Sequence, residues 1–241
     1  MLHRGHPGDI DFYRRISAES KNVLELGCGD GRVSIPLAES GLSVTGLELH
    51  PGMLRAAMAA RAASPSEIQS RLRFICADIS AFAIDERFDR VIAPYTTLYA
   101  LDPAARRSCL QCIERHLEND GLFVFDVYPA EWIHAEGSYA DPEPILISRL
   151  VDERRTIDVY EQDVHDVDTQ RVSVTYTHQI HDESSHSTLQ YTIEHTYLLV
   201  EQFEPVLNAC GLELQSIHGD FAGSVVDENA ERLVVTARRS G

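Results

Sequence analysis

The sequence has little positive charge. Its 241 residues include 21 lysines and arginines against 38 aspartates and glutamates, for a formal net charge of −17, and Lys21 is the only lysine. No run of adjacent cations is longer than a pair such as Arg106-Arg107. Binding to nucleic acid requires a basic surface that neutralises phosphates. The composition therefore argues against a nucleic-acid partner.

Long apolar segments are also missing. The sequence contains no stretch of about 18 apolar residues and does not open on a charged segment followed by an apolar one. We therefore expect no membrane partner and a cytoplasmic protein. A hydrophobic content of 44% with 24% charged residues is ordinary for a soluble globular enzyme. This length is enough to bury a substantial core in one large domain or two small ones.

The sequence gives little sign of disulfides or a metal site. Its five cysteines are an odd number and lie at apparent core positions. Cys109 and Cys112 share a helical pattern without a second pair, which favours a buried helix face over a zinc or redox site. His178 and His181 fall on opposite faces of a strand, and the acidic run 163–168 lacks the spacing of a calcium loop. We therefore predict no metal.

The most informative pattern is an apolar strand that runs into a glycine-rich turn and then a helix, Val23-Leu24-Glu25-Leu26-Gly27-Cys28-Gly29-Asp30-Gly31-Arg32. Glycines let the backbone approach a ligand closely, with the N–H groups of the helix start facing it. Glu48, about 20 residues beyond the glycines, stands where a carboxylate can accept both hydroxyls of a ribose. This spacing fits a dinucleotide or another adenosine cofactor.

Strands and helices alternate around this turn. Apolar runs predict strands at Val23–Leu26, Leu42–Leu49, Arg71–Ala77, Phe88–Ala93 and Gly121–Val127. Helical patterns with caps predict helices at Asp9–Ser17, Arg32–Ser40, Pro51–Ala63 and Pro103–Leu117. Such alternation indicates a doubly wound α/β fold, a parallel sheet with helices on both faces. Ligands bind such sheets outside the carboxyl ends of the strands, where Glu25, Glu48, Asp78 and Ala93 are predicted to lie.

The pattern then changes to alternating polar and apolar residues without a helical period. It predicts antiparallel strands at Pro144–Asp152, Thr156–Asp166, Arg171–Asp182 and Ser187–Leu199. A helix at Glu201–Cys210 and strands at Leu212–His218 and Arg232–Arg238 complete the chain. We therefore predict one domain, 1–241, with a seven-stranded Rossmann-like sheet. Within it, residues 133–200 form an antiparallel β insertion between the fifth strand and the last helix.

Several of these segments resemble the successive motifs of the class I S-adenosylmethionine-dependent methyltransferases. They are Glu25–Arg32, Gly46–Leu54, Cys76–Ile79, Phe88–Ile92 and the fifth strand Gly121–Asp126. The insertion and the ending Gly219-Asp220-Phe221 … Glu231-Arg232-Leu233-Val234-Val235 resemble, more loosely, a bacterial subgroup that acts on small molecules. That subgroup includes sugar N-methyltransferases of antibiotic pathways.

The resemblance implies S-adenosylmethionine as cofactor and S-adenosylhomocysteine as product. Glu25 and the glycine turn would bind the methionine moiety, and Glu48 the ribose hydroxyls. Asp78 and the Ile79 backbone would bind adenine, with Leu49 and Met53 on one adenine face. The residues implied to bind the cofactor are Tyr13, Arg14, Glu25, Gly27, Cys28, Gly29, Arg32, Glu48, Leu49, Met53, Asp78, Ile79, Ala93 and Leu98.

Some of these roles stay open. Ala93 would offer its backbone to the cofactor's ammonium, and Tyr13 and Arg14 would close over its carboxylate. The Phe12-Tyr13 pair fits a staple onto the core as well as a lid over a ligand. His50 stands where the family more usually has a serine.

Catalysis of methyl transfer rests largely on holding the nucleophile in line with the methyl group. An amine nucleophile must also be neutral, so a nearby proton acceptor helps. The sequence offers many candidates, of which Tyr95 and His195 are our first choices as catalytic residues, with a purely structural role open for each. The others are Tyr99, Asp126, Tyr128, Trp132, His134, His178, Glu194 and Tyr197.

The sequence thus predicts methyl transfer to a small-molecule acceptor, with an amine nitrogen favoured over oxygen or carbon. Two other classes stay open, an NAD-dependent oxidoreductase and a non-catalytic cofactor-binding protein. Nicotinamide chemistry does not require Glu25 before the glycines or Asp78 at the third strand. The insertion fits a cover over the substrate or a surface for a homodimer.

Overall fold

The computed structural model describes residues 5–151, 155–182 and 185–240. These form two compact units. The first contains the chain up to Pro129 and from Val200 onward, and the second is Ala130–Leu199. In sequence, the second unit lies between the fifth strand and the last helix of the first.

The first unit alternates strands and helices as the sequence predicts. Its helices are α1 (Asp9–Ile16), α2 (Ser34–Glu39), α3 (Pro51–Ala63), α4 (Ser66–Arg71) and α5 (Pro103–His116), and after the second unit α7 (Val200–Asn208). Its strands are β1 (Asn22–Leu26), β2 (Ser43–Glu48), β3 (Leu72–Cys76), β4 (Phe88–Ala93) and β5 (Leu117–Val127), and after the second unit β11 (Leu212–His218) and β12 (Leu233–Arg239).

The second unit holds the remaining elements. They are a short helix α6 (Glu131–Glu136) and the strands β6 (Tyr139–Ala140), β7 (Ile145–Val151), β8 (Arg155–Asp166), β9 (Arg171–Asp182) and β10 (His186–Thr196). Its five-stranded sheet has the order β10-β9-β8-β6, and β7 also pairs with β8. The pairs are antiparallel, which confirms the predicted β-rich block. The predicted strand end at Asp152 lies outside the described residues.

The seven-stranded sheet has the order β3-β2-β1-β4-β5-β12-β11. The strand order reverses between β1 and β4, the point at which doubly wound sheets bind ligands. Strand β12 is antiparallel to both neighbours, β5 and β11. Its first residue, Leu233, therefore pairs with Val127, the last residue of β5. The segment just before β12 is thus brought to the carboxyl edge of the parallel strands.

Burial and capping explain why these elements form. In β1 every residue from Val23 to Leu26 is buried, as expected for a central parallel strand covered on both faces. Helix α5 begins at Pro103, and the Asp102 side chain accepts from the backbone N–H groups of Ala104 at 2.9 Å and Ala105 at 2.8 Å.

The structure also contains short elements that the sequence analysis missed. Helix α4 has no buried residue and α6 has only Ile133, so neither shows an apolar period. A 3₁₀ turn occupies Thr97–Ala100 after β4. Strand β5 begins at Leu117, four residues before the predicted start. The sequence analysis missed this beginning because residues 118–120 are polar and exposed and do not read as an apolar run. Within the described ranges, no helix has the length and hydropathy to cross a membrane.

Candidate functional site

The carboxyl edge of the parallel strands collects most of the predicted cofactor residues. Glu25 is the next-to-last residue of β1, and Glu48 ends β2. Asp78 follows β3, and Ala93 ends β4. Because these strands are parallel neighbours, the four residues share one edge of the sheet. The topology therefore builds the predicted crevice.

The glycine turn that follows β1 has a backbone conformation that favours glycine. Gly27 and Gly29 have φ values of +67° and +57°, a conformation that other residues rarely adopt. A Cβ on Gly27 would approach Thr97 to 2.9 Å, and one on Gly29 would lie 3.4 Å from Cε of Met53. A side chain at Gly27 would therefore collide with Thr97, and the positive φ values favour glycine at both positions.

Glu48 is fixed by backbone donors on both of its carboxylate oxygens. The N–H of Gly29 donates to Oε2 at 2.9 Å, and the N–H of His50 donates to Oε1 at 2.7 Å. Each carboxylate oxygen can accept more than one hydrogen bond, so both retain capacity for ligand hydroxyls. Leu49 and Met53 nearby are 60% and 39% exposed, an unusual condition for large apolar side chains beside a carboxylate. These features fit a ribose next to a planar apolar ring.

Asp78 presents an ionised acceptor at the end of β3. The Ser80 hydroxyl and backbone N–H donate to its Oδ1 at 2.7 and 2.8 Å. These two hydrogen bonds hold the pKa of the Asp78 carboxyl below its usual value. The exposed carboxylate can accept from an amino group, and the half-buried Ile79 follows it directly.

Glu25 differs from the other two carboxylates because it is buried. Its side chain accepts a short hydrogen bond from the Ser34 hydroxyl at the start of α2. Burial raises the pKa of Glu25 to about 8, although the Ser34 bond and the charge of Arg32 oppose the rise. At neutral pH this carboxyl is largely protonated in the absence of a cationic ligand.

The loop after β4 has two residues in left-handed conformations without a glycine. Tyr95 has φ +57° and Thr96 has φ +69°. Asp126 holds both: its carboxylate accepts from the Tyr95 N–H at 3.0 Å, and its carbonyl accepts from the Thr96 N–H at 2.9 Å. Strained conformations of this kind persist where the surroundings fix them, and they are concentrated at functional sites.

Asp126 is itself held by residues from both ends of the chain. Tyr13 Oη donates to its Oδ1 at 2.6 Å, and the Arg232 guanidinium pairs with its Oδ2. Arg232 also donates to the Thr96 hydroxyl at 2.9 Å. Burial, followed by the Asp126 charge, raises the pKa of Tyr13. Sequence analysis named Asp126 but missed Arg232; the only available signal was a cation at the start of the last strand.

The two predicted lid residues lie in different surroundings. Tyr13 is fully buried and its ring packs near Phe12 and Phe221, as in the staple alternative. Arg14 instead donates to Pro36 O at 3.3 Å and pairs with Glu39, so it engages the body of α2 and is not brought to the glycine turn.

Arg32 is the basic residue at the turn. It pairs with Asp9 at 2.7 Å, and its guanidinium carbon lies 6.0 Å from the centre of the Tyr95 ring. Two other predicted residues, Cys28 and Leu98, are buried. The Cys28 N–H donates to Leu47 O, and the Leu98 carbonyl accepts from Arg106 Nε, so both bind neighbouring protein groups.

The other candidates are divided between the units. Tyr95, Tyr99 and Tyr128 belong to the first unit, where the rings of Tyr99 and Tyr128 meet edge to face. His195 lies in β10 of the second unit, where His134 Nδ1 and Tyr197 Oη are 3.0 Å apart. Trp132, His178 and Glu194 also belong to the second unit. Across the described part of the chain, no group of three or more potential ligand side chains is placed to hold a metal ion.

Comparison with known proteins agrees with this geometry. Residues 23–121 match the family model described as a methyltransferase domain. The chain is 27% identical over 223 residues to YqeM of Bacillus subtilis, which carries the name of a methyltransferase; the match covers 92% of this chain and 85% of YqeM.

Solved structures extend the comparison to nearly the whole chain. The sugar N-methyltransferase KedS8 from Streptoalloteichus sp. has the same fold, with a TM-score of 0.75 at 21% identity over 98% of this chain and 88% of KedS8. The glycopeptide N-methyltransferase MtfA in complex with S-adenosylhomocysteine is similar with a TM-score of 0.65 at 25% identity, covering 95% of this chain and 86% of MtfA.

The matched segment 23–121 runs from β1 into β5 and so contains Glu25, Glu48, Asp78 and Ala93. The residues at the carboxyl edge of the parallel strands therefore belong to the matched methyltransferase domain. Residues 23–121 thus carry a methyltransferase domain, and the similarity of nearly the whole chain to YqeM and to MtfA, which was solved with S-adenosylhomocysteine, supports an S-adenosylmethionine-dependent methyltransferase.

Proposed function

We propose that this enzyme transfers the methyl group of S-adenosylmethionine to an amine nitrogen of a small-molecule acceptor. The observation that carries the donor site is the Glu48 carboxylate, fixed by two backbone N–H groups between the glycine turn and the exposed Leu49 and Met53. The choice of nitrogen is supported by the names of KedS8, a sugar N-methyltransferase, and MtfA, a glycopeptide N-methyltransferase.

Different residues of the edge would bind different parts of the donor. Glu48 accepts from the two ribose hydroxyls, while Leu49 and Met53 contact adenine. Asp78, ionised by its hydrogen bonds to Ser80, accepts from the adenine amino group. Leu49 and Met53 are the only large apolar side chains near Glu48 that the described residues leave more than a third exposed, and adenine would cover them.

The methionine end of the donor lies toward Glu25 and the backbone of Gly27 and Ala93. Its ammonium favours the ionised form of Glu25, which otherwise holds its proton because it is buried. Binding of the donor is therefore coupled to release of a proton from Glu25 at neutral pH. Because Glu25 is protonated before the donor binds, the free protein does not bury an unpaired negative charge.

S-Adenosylmethionine supplies a methyl group already activated on a sulfonium sulfur. The protein's main task is then to position the acceptor and exclude water, and correct alignment supplies on the order of 7 to 11 kcal/mol. Tyr95, whose backbone N–H donates to Asp126, would orient the nucleophile. An acceptor that binds as an ammonium must first lose a proton to expose the nitrogen lone pair, and a polar side chain at the crevice would accept that proton.

The test is radiolabel transfer from S-[methyl-³H]adenosylmethionine to matched acceptors that differ in one group. Glucosamine, galactosamine and glycylglycine provide amines, and glucose, galactose and N-acetylglycylglycine are their controls. We expect label on amines only, with stoichiometric S-adenosylhomocysteine. Equal label on an amino sugar and its control would indicate oxygen methylation, because both carry hydroxyls, and no label on any amine would overturn the proposal. Thermal stabilisation by S-adenosylmethionine but not NAD provides an independent check of the donor site.

A further inference from the structure

A second opening lies on the same edge of the first unit. It is a cavity of about 660 Å³ between the start of α1 and the segment 219–232 that joins β11 to β12. This volume is typical of a small-molecule site. No residue assigned to the donor lines it.

The Tyr95 ring lies close both to the glycine turn and to this cavity. Arg32, from the turn, lies 6.0 Å from the centre of the Tyr95 ring. Two cavity residues approach the same ring: the Arg232 guanidinium carbon at 5.8 Å and the His6 ring at 5.4 Å between centroids. A molecule in the cavity therefore lies near the same ring as a donor bound at the turn.

The cavity walls are predominantly acidic. They contain Asp11, Asp220, Asp227 and Glu231 against Arg15 and Arg232. Both arginines are engaged, since Arg15 donates to Phe221 O at 2.9 Å and Arg232 pairs with buried Asp126. Burial, and next the charge of Arg232, lower the pKa of His6, so its imidazole adds no positive charge at neutral pH. The field in the cavity favours a cation.

One buried donor in the wall lacks an acceptor. Arg232 is 6% exposed, and its Nε is buried with no hydrogen-bond partner among the described residues. Leaving such a donor unpaired costs about 1–3 kcal/mol, so an oxygen delivered by a ligand is stabilising there. This is an observation independent of the acidic walls.

We infer that this cavity receives the methyl acceptor, a small cationic amine that also carries hydroxyl or carbonyl oxygens. The amine lies among the acidic side chains, and one oxygen accepts from Arg232. The inference rests on the proposed function and adds where the acceptor binds and what it must carry besides nitrogen.

Two substitutions test the cavity in the full-length enzyme. Ala230→Trp places a large ring in the wall, and Glu231→Gln removes one charge with little change of volume. Glu118→Gln is the control, because Glu118 is exposed at the opposite end of β5. For the best amine substrate of the panel above, we expect the KM to rise at least about tenfold in Ala230→Trp and severalfold in Glu231→Gln. Binding of S-adenosylmethionine, measured by calorimetry, stays within twofold of wild type.

A binding measurement separates this inference from the proposed function. Glucosamine, or glucose as control, is titrated into ¹⁵N-labelled enzyme saturated with S-adenosylhomocysteine while the Arg232 Nε–H resonance is followed. A shift with glucosamine and not with glucose supports the inference. If amines are methylated but that resonance and both KM values stay unchanged, the cavity is not the acceptor site and the proposed function stands. If no amine is methylated, the proposed function fails and this inference fails with it.

Discussion

Arg232 forms a buried ion pair with Asp126, 106 residues earlier in the chain, and its Nη2 also reaches the Asp126 carbonyl at 3.3 Å. The same Asp126 accepts from Tyr13 and from the Tyr95 backbone. One carboxylate thus connects the first helix, the loop after β4 and the last strand. The shape of the edge beside the glycine turn depends on this connection.

Breaking the ion pair should destabilise the protein strongly. Asp126→Asn leaves the Arg232 guanidinium buried without a counter-charge, for which we expect a loss of about 3 kcal/mol in the free energy of unfolding. Urea denaturation of Asp126→Asn, Arg232→Met and the double variant measures the coupling. The double variant should lose less than the sum of the single changes, by about 1–3 kcal/mol.

The exposed pair Arg73–Glu86, with N–O distance 2.9 Å, is the matched control. Exposed pairs contribute at most about 1 kcal/mol, so its coupling should be small. Equal coupling energies for the two pairs would show that Asp126 and Arg232 do not stabilise the fold as a buried pair.

Glu48→Ala should abolish tight donor binding without unfolding the enzyme. Hydrogen bonds to a charged group contribute about 1.5–3 kcal/mol each, so loss of the ribose contacts should weaken S-adenosylmethionine binding at least about 100-fold. Calorimetry measures the affinity and thermal unfolding the stability. Glu19→Ala, an exposed change on the chain before β1, is the control. An unchanged affinity in Glu48→Ala would refute the assigned role.

Glu25 should make stability fall with rising pH. Between the usual pKa of about 4.5 and the raised value of about 8, the unfolded chain loses this proton while the folded protein keeps it. The folded state therefore loses up to about 1.4 kcal/mol per pH unit in this window, relative to a variant without the group. We expect Glu25→Gln to gain stability over wild type from pH 5 to 8 and to gain no more above that.

The control and the functional cost of that change are both measurable. Glu19→Gln should follow the wild-type stability profile in parallel. Glu25→Gln should also bind S-adenosylmethionine more weakly, since a neutral amide cannot pair with the donor's ammonium. Parallel stability profiles for Glu25→Gln and wild type would show that Glu25 titrates normally in the folded protein.

Tyr95→Phe should slow turnover while donor binding is maintained. The ring and its contacts with Arg32 and Arg232 survive the change, but the hydroxyl that we propose orients the nucleophile is lost. We expect kcat to fall by about 100-fold and the affinity for S-adenosylmethionine to stay within twofold. His195→Gln makes the same comparison for the other candidate. A kcat within twofold of wild type would assign Tyr95 a structural role only.

The strands of the edge are predicted well from the sequence because their signals are local. Buried parallel strands read as apolar runs, and the acidic residues that end β2 and follow β3 are adjacent to those runs. The segment Phe88–Ala93 is predicted to the residue. Short exposed elements such as α4 were missed because nothing in them alternates between buried and exposed.

Long-range pairing explains what the sequence analysis missed. Arg232 reaches Asp126 only because β12 enters the sheet antiparallel, and no local pattern reports that direction. Arg14 shows that the direction of a single helix side chain is also difficult to predict from the sequence. One residue along a helix rotates a side chain by about 100°, so neighbouring residues of α1 face different partners, and Arg14 engages α2 where Tyr13 faces Asp126.

The antiparallel entry of β12 also sets the order in which the enzyme becomes competent during synthesis. Strands β1 to β5, with Glu48 and Asp78, leave the ribosome first, but β12 must later fit between β5 and β11. Until then Asp126 has no cation and the Tyr95–Thr96 turn lacks the Arg232 hydrogen bond. A nascent chain that has not yet reached Arg232 therefore lacks one of the contacts that hold this loop in the complete fold.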